Sequence, residues 1–141
     1  MRHLVLRLSP VACLLAATAW ASPAPITATH VDQALAALSA RDGQDVVLSH
    51  ADGWTLVNEP AAAAQWSFTP SGHPAHPAVV RRVIERSADG RVQVHTDLLC
   101  EGPAEACDTL RAEFLRLNAR VEQATRSRSR TGGAVQPAPQ Y

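Results

Sequence analysis

The chain has no lysine, and all 13 of its basic residues are arginine. Beside so much alanine, that reads as compositional bias and not as a physical device. Aromatics are scarce, with three Trp, two Phe and one Tyr among 141 residues, so few large side chains exist to fill a core. Net charge is also missing: 13 acidic residues balance the arginines, which excludes broad electrostatic binding to nucleic acid. The mostly apolar run from Leu8 to Trp20 falls short of the about 20 residues that cross a bilayer. No Cys-x-x-Cys, Gly-x-Ser-x-Gly, phosphate-binding glycine loop or dinucleotide fingerprint is present, so those signatures of redox, hydrolase and nucleotide chemistry are excluded. No internal repeat is visible.

What is there begins with an export signal. Arg2, His3 and Arg7 form a basic start, Leu8 to Trp20 an apolar middle, and Ala19-Trp20-Ala21 a small-x-small cleavage site before Ser22. A leader over 1–21 is therefore expected, with no transmembrane segment after cleavage. A lipid-modified Cys13 does not fit, because Pro10 stands where an aliphatic residue is needed. Cleavage leaves about 120 residues, enough for one small domain with a modest core. It also leaves Cys100 and Cys107 as an even pair. In an oxidising compartment, periplasmic or secreted, an intramolecular disulfide is the expected state.

The domain reads as α+β: an N-terminal helix, a four- to five-stranded antiparallel meander and a C-terminal helix tied by the disulfide. Residues 22–28, with Pro23 and Pro25, form an extended lead-in, 29–125 the domain, and 126–141 a disordered tail rich in Arg, Ser, Gly and Pro. Thr29 is placed as the first helix's N-cap. Val31, Leu35 and Leu38 form its apolar stripe, and Asp42-Gly43 its stop. Strands are expected at Val46–Leu48, Trp54–Asn58, Gln65–Thr69, Ala78–Arg86 and Arg91–Cys100. Ser87-Ala88-Asp89-Gly90 joins the last two, with Arg86 opposite Arg91, Val83 opposite Val94 and Val79 opposite Leu98. Pro103 opens a final helix whose stripe is Cys107, Leu110, Phe114, Leu117 and Val121. Both helices are expected on the same face of the sheet, the other face being partly wet.

Chemistry-bearing residues concentrate between Trp66 and Pro77, where His73 and His76 lie among Pro70, Pro74 and Pro77. The prolines prevent a helix, so this is an ordered loop between strands. The antiparallel register brings Glu101 near His76. Trp66, Ser71, Gly72, His73, His76 and Glu101 are thus the candidate binding residues. Trp54 and Trp66 fit either an exposed recognition surface or the core, and a face shared with Phe68 favours the core for Trp66. No residue is assigned a catalytic role.

The leading expectation is a non-catalytic protein that meets an unknown periplasmic protein or small ligand through Pro70–Pro77 and the adjoining strand. An alternative is a zinc or copper site at His73 and His76, completed by Glu101 or by a third histidine such as His50 or His95. A third reading is a chaperone-like accessory, or an acid–base enzyme working through His76 and Glu101 but with no nucleophile beside them.

The run Trp66-Ser-Phe-Thr-Pro-Ser-Gly-His-Pro-Ala-His-Pro-Ala-Val-Val-Arg-Arg, then Leu99-Cys-Glu and Ala106-Cys-Asp, resembles a group of small exported proteobacterial proteins of unknown function. The resemblance covers roughly Ala64 to Asn118 and implies no activity. Some members of that group are labelled J-domain co-chaperones. A J domain places His-Pro-Asp between two helices. Here His73-Pro74 is followed by Ala75 in a β-rich pattern, so no J-domain site is carried over.

Overall fold

A computed structural model describes residues 25–41, 45–48 and 52–131. The expected leader with Cys13, the Asp42-Gly43 stop, His50 and the stretch from Gly132 lie outside the described residues. Helix α1 (Val31–Ser39) precedes one antiparallel sheet of five strands in meander order: β1 (Asp45–Leu48), β2 (Thr55–Glu59), β3 (Ala64–Phe68), β4 (Ala78–Arg86) and β5 (Val92–Cys100). Helix α2 (Ala104–Thr131) follows, and a Cys100–Cys107 disulfide joins its first turn to the end of β5. The chain is thus the α+β meander with a disulfide-pinned helix that its pattern predicts.

The helices do not share a face. Val31, Ala34 and Leu38 of α1 pack on Val57, Trp66, Phe68 and Val79, the first face of the sheet. Leu110 of α2 packs on Ala75, Ala78 and Val80, joined by Phe114 and Leu98, on the second face. The reason lies in β4. Successive side chains of a strand point to opposite faces, and Val79 and Val80 are both fully buried. A strand apolar on both sides needs a cover on each.

The β4–β5 register is also one residue from the expected one. Arg86 pairs with Val92, Val83 with His95, Val80 with Leu98 and Val79 with Leu99. The turn explains the shift. Ser87 N–H donates to the Arg91 carbonyl (2.9 Å), Gly90 N–H donates to the Ser87 carbonyl (2.9 Å), and Gly90 takes φ +80°. This is a three-residue connection with glycine in the left-handed bulge position, so Ser87 faces Arg91. Doubly buried β4 gave the hydrophobic pattern no means of rejecting the neighbouring register.

Helix α2 starts at Ala104, one residue after the expected Pro103, whose carbonyl accepts the Cys107 N–H at 3.0 Å. At 28 residues it is about 42 Å long. It continues through residues 126–131, which the sequence boundary assigned to the tail. Arg126 lies one turn from Glu122 (3.9 Å), and the Ser127 hydroxyl donates to the Gln123 carbonyl. Arginine is a good helix former, so nothing ends the helix before Gly132-Gly133. Asn118, 4% exposed, donates to Thr96 Oγ1 across the α2–β5 contact. Glu122 accepts the Val94 backbone N–H at 3.0 Å, closing part of the free edge of β5. Among the described residues no helix is long and apolar enough to cross a membrane.

Candidate functional site

The loop from Pro70 to Pro77 is built by its own backbone. Thr69 N–H donates to the Ala78 carbonyl (3.0 Å), His73 N–H to Pro70 (2.9 Å) and His76 N–H to His73 (2.9 Å). The Thr69 hydroxyl accepts the Ala78 N–H at 2.9 Å, and the His76–Pro77 peptide is cis. The histidines join the same lattice. His73 Nδ1 accepts the Ala75 N–H (3.1 Å), while His76 Nδ1 lies 3.1 Å from the Thr69 carbonyl. Ser71, Gly72 and His76 are exposed and His73 is half-buried.

Glu101 does not meet His76. Its backbone N–H holds the Pro77 carbonyl (2.9 Å), but its carboxylate turns to the start of α1. One oxygen accepts the Val31 N–H and the other pairs with His30 Nδ1, both at 2.8 Å. The N-cap of α1 is therefore His30, not Thr29. The His30 side chain makes no capping bond, and Glu101 from the far end of β5 takes that place. A carboxylate is favourable there because the first-turn N–H groups lack partners and carry the positive end of the helix dipole. The mutual hydrogen bond raises the His30 pKa and lowers that of Glu101, with the Val31 N–H adding to the second effect. The His76–Glu101 pair required for acid–base work is replaced by a helix cap.

Beside it, Gly102 holds the loop against α2. A Cβ at this position would stand 2.6 Å from the Ala75 carbonyl oxygen, and Ala75 is fully buried. The loop, the disulfide and both helix starts therefore meet in one corner, tight at the Gly102–Ala75 contact and flanked by two open concavities of about 520 Å³, one beside His73 and α2 and one beside His30 and Glu101. Trp66 is outside it. The indole is 8% exposed in the first-face core, donates to Glu59 at 3.0 Å, and carries the Arg81 guanidinium 5.3 Å from its centroid. Trp66 is thus a core residue and not part of a binding surface.

No three His, Cys, Asp or Glu side chains come together among the described residues in a way that could hold a metal ion. His73 and His76 spend a ring nitrogen each on loop backbone, Glu101 is held by His30 and Val31, and His95 Nε2 pairs with Glu85 (3.0 Å). The zinc or copper alternative thus loses each third ligand named for it within the described chain.

A different place opens on the second face. The His73 ring stands edge-on to Trp54 (5.3 Å), Trp54 meets Phe114 (6.0 Å), and the Arg82 guanidinium lies over Phe114 (5.4 Å). Beyond this row α2 leaves part of the sheet uncovered, and a groove of about 670 Å³ runs between β4 and the helix. Pro60, Ala63, Ile84, Val94 and Val121 make its apolar wall. Arg82 and Arg86 stand on either side of Ile84, which is 48% exposed.

The polar side of the groove is a relay across three strands. Arg82 Nη2 donates to the Gln65 side-chain carbonyl, and Gln65 Nε2 donates to Asn58 Oδ1 (3.2 Å). Arg82 Nε is buried without a hydrogen-bond partner. Burial pushes the Arg82 guanidinium below its ordinary pKa. Among the described residues, neither Arg82 nor Arg86 pairs with a carboxylate.

Sequence reading passed over Arg82, Ile84 and Arg86. Their signal was the two-residue alternation along β4, which puts all three on one face of the strand. No protein-family model, curated protein or solved structure matches this chain.

Proposed function

We propose that this chain is a non-catalytic binding protein of the periplasm or the secreted space, and that its ligand seat is the groove beside β4. Export rests on the leader pattern and is supported by the disulfide, which persists in oxidising compartments. The loop Pro70–Pro77 acts as scaffold. Its histidines and backbone serve the fold, and it reaches the groove only through the row from His73 to Arg82.

One observation carries the assignment. Ile84, a large apolar side chain, is 48% exposed between two arginines that lack acidic partners among the described residues, in a concavity of about 670 Å³. Ligand pockets typically span about 300–1,000 Å³ and combine apolar walls with a few placed polar groups.

The test uses a neutral apolar fluorophore, N-phenyl-1-naphthylamine, titrated into the oxidised protein. Binding is expected to be lost in Ile84→Asp and kept in His73→Ala, with circular dichroism unchanged in both. If Ile84→Asp binds the dye as the parent does, or if His73→Ala abolishes binding, the seat is not this groove.

A further inference from the structure

We infer that the groove takes a single-chain fatty carboxylate, its headgroup at Arg86 and its alkyl chain along Ile84, Val94 and Val121; this rests on the groove being the ligand seat. The argument is one of charge and shape together. The chain as a whole carries no net charge, so a diffuse positive field does not draw anions to it. The positive charge at the groove is local. Arg82, Ile84 and Arg86 are alternate residues of β4 and therefore stand in a row on the second face, arginine at each end.

The two arginines differ in what they offer. Arg82 is held in place by the Gln65 bond and by the Phe114 ring, and it is partly desolvated with its Nε–H unpartnered. The Nε atom is itself buried and Nη2 is taken by Gln65, so Arg82 lines the groove without offering that edge of its guanidinium to a ligand. Arg86 is exposed at the groove's rim and free of any carboxylate partner among the described residues, so it adds charge without strain. Glu122, next in the chain to Val121, is already engaged by the Val94 N–H and by Arg126. The guanidinium fork matches the plane of a carboxylate and can hold both its oxygens. Apart from the arginines and the mutually bonded Asn58 and Gln65, the lining side chains are apolar, which suits a hydrocarbon tail.

The experiment displaces N-phenyl-1-naphthylamine with laurate, dodecanol and dodecyl phosphate, each below its aggregation limit, while the oligomeric state is followed by sedimentation. Laurate is expected to compete at about tenfold lower concentration than dodecanol, which corresponds to about 1.4 kcal/mol for the charge-assisted contact. Arg86→Gln is expected to erase most of that advantage and leave dodecanol unchanged. Equal competition by laurate and dodecanol overturns the anion assignment while the groove stands. Stronger competition by dodecyl phosphate overturns the carboxylate. If the dye binds but no alkyl ligand displaces it, the single-chain assignment fails. Self-association that disappears in Ile84→Asp makes a second copy the occupant and overturns the proposal. Absence of dye binding in the parent protein removes the groove reading itself.

Discussion

The corner at the disulfide and the groove beside β4 are built on opposite principles. In the corner, each histidine and the Glu101 carboxylate has a partner, and even a single methyl group at Gly102 would collide with the Ala75 backbone. In the groove, a large apolar side chain stays exposed and, among the described residues, neither arginine pairs with a carboxylate. The first region is dense in titratable groups and the second is nearly without them. Density of reactive residue types therefore marks where the fold is fastened, and unfinished packing marks where something can bind.

Three changes test that contrast from the corner's side. The largest is Gly102→Ala. The added Cβ meets backbone at 2.6 Å, which no side-chain rotation relieves, so denaturation should show a loss of about 3 kcal/mol. A loss under about 0.5 kcal/mol, the range of an ordinary surface change, would mean that the corner has slack. Next is the disulfide. Replacing Cys100 and Cys107 by Ala opens a short loop, and chain entropy sets the cost near 2.5 kcal/mol. Dye binding at the groove should survive this change at temperatures where the protein stays folded. Loss of binding would show that the two regions are not separable.

The smallest is the contact between His30 and Glu101, and its sign follows from the directions of the two shifts. The histidine's value is raised from its ordinary 6.5 by the Glu101 hydrogen bond. Its contribution is complete below pH 6.5 and is lost as pH climbs through the raised value. The carboxylate's value is lowered from its ordinary 4.5, so its contribution is complete above pH 4.5 and is lost as pH falls through the lowered value. The latch is thus fully present between pH 4.5 and 6.5. Thermal unfolding across pH should show His30→Gln removing a modest decline on the alkaline side while keeping the acid limb through the Val31 N–H. Parent and variant curves that run parallel from pH 5 to 8 would rule out the latch as a source of stability.

The fold was legible wherever local chemistry decides it. Alternation and turn residues located all five strands, and Ala78–Arg86 matches to the residue. The cysteine pair gave the disulfide, and the spacing of Leu110 and Phe114 gave α2. Choices between equivalent arrangements were not legible. A helical stripe says that one side is apolar but not which sheet face it meets. Val79 and Val80, adjacent and both buried, made the faces of β4 indistinguishable, and a single left-handed Gly90 then set the register.

The candidate site divides in the same way. The likeness of Trp66 to a core residue was readable from its face shared with Phe68. The pairing of Glu101 with His30 was not, because it joins residues 71 apart and depends on where α1 comes to rest. The groove was hidden for a plainer reason. It consists of what α2 fails to cover, and no residue in β4 records the path of a helix that starts two turns of chain later.

Helix α2 also bears on the outer edge of the sheet at β5. An outer strand with free N–H groups is a template for another chain to add to the sheet, and β5 is such a strand. By taking the Val94 N–H, Glu122 removes a rung of that template midway along the helix and leaves a carboxylate standing there. An incoming strand would have to displace it. The same helix that leaves the groove open thus blunts one edge of the sheet, opposing strand addition at β5.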